Sequence, residues 1–166
     1  MSPVAFRRVG ALRVNHVSIH ANDLEESARF YEELFGMHRV PTAAFRQPVL
    51  WLALGDQQLH LFQREDAEAP RAHHVAIDVD DFEAVYREAK QRGLLDGETW
   101  AERARYHPAG WVQMYIRDPA GNLVEVDWPD VSTLDPELVA ELAQLEDTVP
   151  QEGEAREATL YTGGSA

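Results

Sequence analysis

The sequence predicts an α+β fold of two paired βαβββ modules forming an open barrel around a metal pocket. Three observations carry that prediction. The segment Asn15-His16-Val17-Ser18-Ile19-His20 returns 58 residues later as His73-His74-Val75-Ala76-Ile77-Asp78. Each copy is a short alternating strand that runs into an acid-led helix. Each helix is then followed by three more short strand patterns.

In the first module, residues 11–66, Val17 and Ile19 share one strand face, and His16, Ser18 and His20 share the other. Asp23 with Glu26 has capping-box-like spacing, so a helix runs from Leu24 to about Leu34 and stops at Gly36. Strands follow near 37–41, 48–54 and 58–64, with Gly55-Asp56 turning between the last two. In the second module, residues 70–130, Val75, Ile77 and Val79 oppose His74, Ala76 and Asp78. Asp80 with Glu83 is read as the cap of a helix from Phe82 to about Gln91, stopped by Gly93. Strands follow near 94–100, 110–117 and 122–128, with an insertion over 101–109 and the turn Asp118-Pro119-Ala120-Gly121-Asn122 between the last pair. Residues 1–10 read as an N-terminal arm. Residues 131–166 read as an acidic C-terminal helix near 135–147, striped by Leu134, Leu138, Leu142 and Leu145, followed by a disordered tail.

The chain has 166 residues, enough for one domain with its own core. It has no cysteine, which excludes disulfides, thiolate nucleophiles, iron–sulfur clusters and cysteine-type zinc sites. Any metal must then be held by His, Asp or Glu. The net charge is −14, and residues 131–166 supply −7 of it. Such a surface repels nucleic acid and anionic membrane. No apolar run approaches the ~20 residues of a membrane span, and the first residues lack the apolar core of a signal peptide. A cytoplasmic protein is expected.

Four potential ligands occupy equivalent places: His16 and His74 on the first strand of each module, His60 and Glu125 on the last. Side-by-side pairing of the modules would bring all four together. Imidazoles with a carboxylate suit Fe(II), Mn, Ni, Co or Zn. Trp51, Phe62 and Trp111 fall on the same faces by period. They either line an aromatic substrate site or fill the barrel. His20 reads as rim, His38 as surface and His73 as structural.

The stretches Asn15–Ile19, Phe30-Tyr31-Glu32-Glu33-Leu34-Phe35-Gly36-Met37, His73–Ile77 and Tyr115-Ile116-Arg117-Asp118-Pro119-Ala120-Gly121-Asn122-Leu123-Val124-Glu125 resemble the vicinal oxygen chelate superfamily. That superfamily includes glyoxalases, epimerases, fosfomycin- and bleomycin-resistance proteins and extradiol dioxygenases. Glyoxalases and epimerases typically place Glu or Gln where His60 stands. Fosfomycin-resistance enzymes carry Lys and Ser before the Asp-Pro turn, whereas this chain has Trp111-Val112-Gln113-Met114-Tyr115 there, and its only lysine is Lys90. The motifs are most similar to the catalytic domain of extradiol dioxygenases. That resemblance implies one divalent ion, Fe(II) or Mn(II) before Ni, Co or Zn, on His16, His74 and Glu125. It implies His60 as acid–base or fourth ligand, Tyr115 as donor to a substrate oxygen, and His107 on a loop over the site. The implied activity is dioxygenation of a small aromatic diol. The alternatives are a glyoxalase- or epimerase-type lyase or isomerase, and a metal-free small-molecule binding protein. Related single-domain proteins pair, some by exchanging modules, so a homodimer is expected.

Overall fold

The computed structural model describes residues 11–100 and 102–161. The proposed arm, 1–10, and the end of the tail, 162–166, lie outside the described residues. The first module is β1 (His16–Ala21), α1 (Leu24–Phe35), β2 (His38–Val40), β3 (Val49–Leu54) and β4 (Gln57–Gln63). The second is β5 (His74–Asp78), α2 (Phe82–Gln91), β6 (Ala104–Tyr106), β7 (Val112–Arg117) and β8 (Leu123–Trp128). Their sheets share one order, β1-β4-β3-β2 and β5-β8-β7-β6, and the second gains a short strand β9 (Ala143–Gln144) beside β6. In each sheet the first and last strands of the module pair in parallel and the rest of the module pairs antiparallel. The two sheets remain separate and open, as two βαβββ modules require.

The helices begin and end for local reasons. Asp23 accepts a hydrogen bond from the Glu26 backbone N–H, and α1 ends at Gly36, whose φ of 62° is left-handed. In the second module the cap is Asp81, which accepts from the Ala84 N–H, and not Asp80 as the repeat suggested. Both helices bury their apolar stripes on the aliphatic sheet faces, against Leu52, Leu59 and Leu61 in one module and Met114, Val124 and Val126 in the other. Each such side chain contributes about 1.5–3 kcal/mol on burial. The Asp118–Asn122 turn is the joint between modules. Tyr31 donates its hydroxyl to Asp118 Oδ2 at 2.9 Å, and Asn122 Nδ2 donates to the His20 carbonyl at 2.7 Å.

Three further sequence expectations are corrected. Residues 94–100 form no strand beyond a single bridge, Leu95 to Ile116. Asp96 and Gly97 interrupt the apolar run, and Asp96 turns its carboxylate to the Thr99 N–H and to Arg117. The strand that follows α2 is instead β6, inside the expected insertion. The helix expected near 135–147 is broken into α3 (Pro136–Val139) and α4 (Leu145–Thr148), because the chain between them pairs with Arg105-Tyr106 as β9. Leu134, Leu138 and Leu142 are still buried, on this chain's own core. Residues 149–161, expected to trail free, return over the second module. Among the described residues no helix is long and apolar enough to cross a membrane.

Candidate metal centre

In the first module Ser18 of β1 stands beside His60 of β4, and Trp51 of β3 stands opposite His60. That register puts His16, His60 and Trp51 on one face. Their rings form a column: His16 on His60 at 4.3 Å between centroids, and His60 on Trp51 at 4.4 Å. His60 Nε2–H donates to Gln58 Oε1 at 2.8 Å, which leaves Nδ1 as an acceptor. Burial, and then the neighbouring His16, hold the His60 pKa below its ordinary value, so the neutral imidazole is favoured. His16 Nδ1 is engaged by the Asn15 side chain. Phe45 packs on both Trp51 and Phe62 and is 51% exposed, so this face is open.

The second module carries the other pair. His74 Nδ1 lies 3.0 Å from the Ala72 carbonyl, which can only accept, so Nδ1 carries the proton. Its Nε2 then faces Glu125 Oε2 at 3.0 Å. Glu125 is 4% exposed, and Gln113 donates its amide to Oε1. Tyr115 stands opposite Glu125 on β7 and meets His74 edge-on at 6.0 Å. Burial, and then the Glu125 charge, keep the Tyr115 phenol protonated well above its usual range, despite Arg105 over its ring.

The donors of this second pair fit a divalent ion. Two ligands at right angles, each about 2.1 Å from an ion, stand about 3.0 Å apart. An outward imidazole N–H on a backbone carbonyl and a hydrogen-bonded carboxylate are the usual outer-shell supports of such ligands. Of the four expected ligands, the structure brings His16 to His60 and His74 to Glu125. Among the described residues no group of three His, Asp or Glu side chains converges to hold an ion. Register gathers each pair: β1 beside β4 brings His16 to His60, and β5 beside β8 brings His74 to Glu125.

Trp51 and Phe62 lie on the open first face. His107 and Trp111 lie on the covered second face, stacked at 4.5 Å. Both His107 nitrogens are engaged, Nδ1 by the Ala109 N–H and Nε2 by Gln151, while Trp111 donates to the Ala158 carbonyl. His20 and His73 line a cleft of about 250 Å³ between β1 and β5, and His38 is exposed. Sequence reasoning missed Gln58, Gln113 and Asp127. The period-two pattern held the signal, since it places Gln113 and Asp127 on the same face as Tyr115 and Glu125. Asp127 is buried, with Oδ1 unpartnered among the described residues, and burial followed by the Glu125 and Asp78 charges raises its pKa.

Residues 13–126 match the model of the Glyoxalase/Bleomycin resistance protein/Dioxygenase superfamily. Virulence protein STM3117 of Salmonella typhimurium is 30% identical over 122 residues, covering 69% of this chain and 82% of that protein. Its crystal structure superposes with a TM-score of 0.53 and 27% identity, over 72% of this chain and 98% of that one. The human mitochondrial methylmalonyl-CoA epimerase is 26% identical over 131 residues, 69% of this chain and 73% of that protein. The metallothiol transferase FosB of Lysinibacillus sphaericus is 31% identical over 119 residues, 68% of this chain and 79% of that protein. Residues 127–166 lie outside the matched model.

Proposed function

Because the chain belongs to the Glyoxalase/Bleomycin resistance protein/Dioxygenase superfamily, we propose that it is a divalent-metal-dependent enzyme acting on a small substrate with two vicinal oxygens. The observation that carries this reading is the His74–Glu125 pair, spaced and supported as two neighbouring ligands. His16 of a second copy completes the set, with His60 beside it as acid–base or fourth ligand, in a homodimer whose sites form between modules of different chains. The first-module face, where His16 Nε2 and His60 Nδ1 make no hydrogen bond among the described residues, supports that pairing. A divalent ion bound there supplies Lewis acidity and lowers the pKa of a substrate hydroxyl.

The chain's own residues do the rest. His60, neutral near pH 7, accepts a substrate proton at Nδ1 and returns it if it is not itself a ligand. Tyr115, held protonated, donates to the anionic substrate oxygen. Trp51 and Phe62 pack against an aromatic ring. This division of roles favours an extradiol-type dioxygenase using Fe(II) or Mn(II) on an aromatic diol. The epimerase relative supports a second reading, proton transfer in a lyase or isomerase with His60 as the base. Oxygen uptake with catechol after Fe(II) or Mn(II) loading is expected for the first. Metal binding without oxygen uptake, with turnover of a hemithioacetal or an epimerisable thioester, would select the second.

The shared site has its own test. Light scattering should give a dimer. Chains carrying His16→Ala or Glu125→Gln should each bind Mn(II) poorly alone and regain binding when refolded together. Absence of that recovery would overturn the exchanged arrangement.

A further inference from the structure

The C-terminal segment crosses the second-module face in strand order. Gln151 meets His107 just beyond β6, at 3.2 Å. The Ala158 carbonyl accepts from the Trp111 indole just before β7, at 2.8 Å. The Tyr161 hydroxyl donates to Asp78 Oδ1 at the end of β5, at 3.1 Å, with Asp127 of β8 close enough for its charge to act on that phenol. All four sheet side chains point to the face that carries His74 and Glu125. Under the segment His107, Trp111, Gln113 and Asp127 are buried, while His74, at the other end of the sheet, keeps 34% of its side chain exposed.

We propose that residues 149–161 are a releasable strap closing one end of this face, so that the site admits a ligand beside His74 and Tyr115 but no further than the row of Gln113. The inference rests on the reading of this face as half of the metal site. The strap lies beyond the part of the chain matched by the family model, so the boundary it sets belongs to this chain. The three contacts that tie it down are hydrogen bonds. Between Glu152 and Leu160 its residues are exposed, and Val149 and Leu160 are not buried in the core. Exposed polar contacts of this kind each add little net stability, which makes the strap displaceable where an apolar plug would be fixed.

The test uses 5-fluorotryptophan and a neutral nitroxide, TEMPOL, as a ring-sized access probe. The chain has four tryptophans, and Trp→Phe substitutions assign their fluorine lines. In the intact chain TEMPOL should barely relax the Trp111 line. In the full-length Gln151→Ala, Tyr161→Phe variant, or in a chain ending at Thr148, relaxation of Trp111 should rise several-fold while that of Trp51 stays constant. The Trp51 line also reports whether the fold survives in each. Trp111 as accessible in the intact chain as in the shortened one would overturn the proposal. Calorimetric Mn(II) titration of the same proteins tests the underlying reading separately. Failure of every form to bind Mn(II) would sink the metal site, while the TEMPOL relaxation of Trp111 would still decide for or against the strap.

Discussion

In the first module His16, His60 and Trp51 stack in a column on an open face, with Phe45 half exposed beside them. In the second, the equivalent face holds a carboxylate under near-complete burial, with an imidazole, an amide and a phenol around it. The backbone repeats, and His60 is nearly as buried as Glu125, but the groups packed around them differ. A neutral imidazole loses little when half its surroundings are aromatic. A buried carboxylate is costly unless it is paired and hydrogen-bonded. The module that carries the charge is therefore the one with the polar support and the cover.

The sharpest way to break this comparison is Glu125→Gln. It removes the only carboxylate of the proposed ligand set. Mn(II) affinity, measured by calorimetry, should fall by more than the roughly 10–100-fold typical of losing an outer-shell partner. Unchanged affinity would show that the second face does not hold the ion.

The difference in cover should also appear in stability. Trp111 is 8% exposed beneath the returning segment but stands outside the hydrophobic core, so Trp111→Ala should cost about 0.5–3 kcal/mol in urea unfolding. Trp51 is only partly buried, and its indole N–H has no partner among the described residues. Trp51→Ala should cost less than Trp111→Ala. Equal costs would mean that the first face is covered in solution, as a dimer interface would do.

The strands that carry the proposed ligands were legible because period two separates aliphatic from functional residues, and the repeat at 58 residues doubles the signal. Gly36, Gly55 and Gly93 marked their turns for the same local reason: each has positive φ. What was not legible depended on partners distant in sequence. Ala143-Gln144 reads as helix because Ala and Gln suit one, yet the unpaired edge of β6 takes it as a strand. The caps at Asp80 and Asp81 differ by one residue, and adjacent aspartates leave that choice to packing. That the four ligands would form two pairs was beyond spacing arguments, which give the face of each strand but not how two sheets are disposed.

Gln113 sharpens the contrast from the side of the second face. Its amide is the donor that orients Glu125 Oε1. Gln113→Ala should lower Mn(II) affinity by roughly 10–100-fold while leaving the ligands in place. No change would mean that His74 alone fixes the carboxylate.

The smallest effect belongs to the open face. Burial, then the neighbouring His16, lower the His60 pKa in the folded chain. Unfolded, the same imidazole titrates near 6.5. Between the lowered folded value and about 6.5 the unfolded chain binds more protons, so stability rises with pH across that window. The contribution is fully present above about pH 6.5 and is lost as pH falls through the folded value. Thermal melts of metal-free protein from pH 5 to 8 should therefore show a midpoint that climbs with pH. His60→Gln should flatten the slope by removing the group. Trp51→Ala should flatten it partly, because without the indole the imidazole regains water and its folded pKa moves back toward 6.5. A slope unchanged in both variants would assign the pH dependence to other groups and remove the desolvated imidazole from the description of this face.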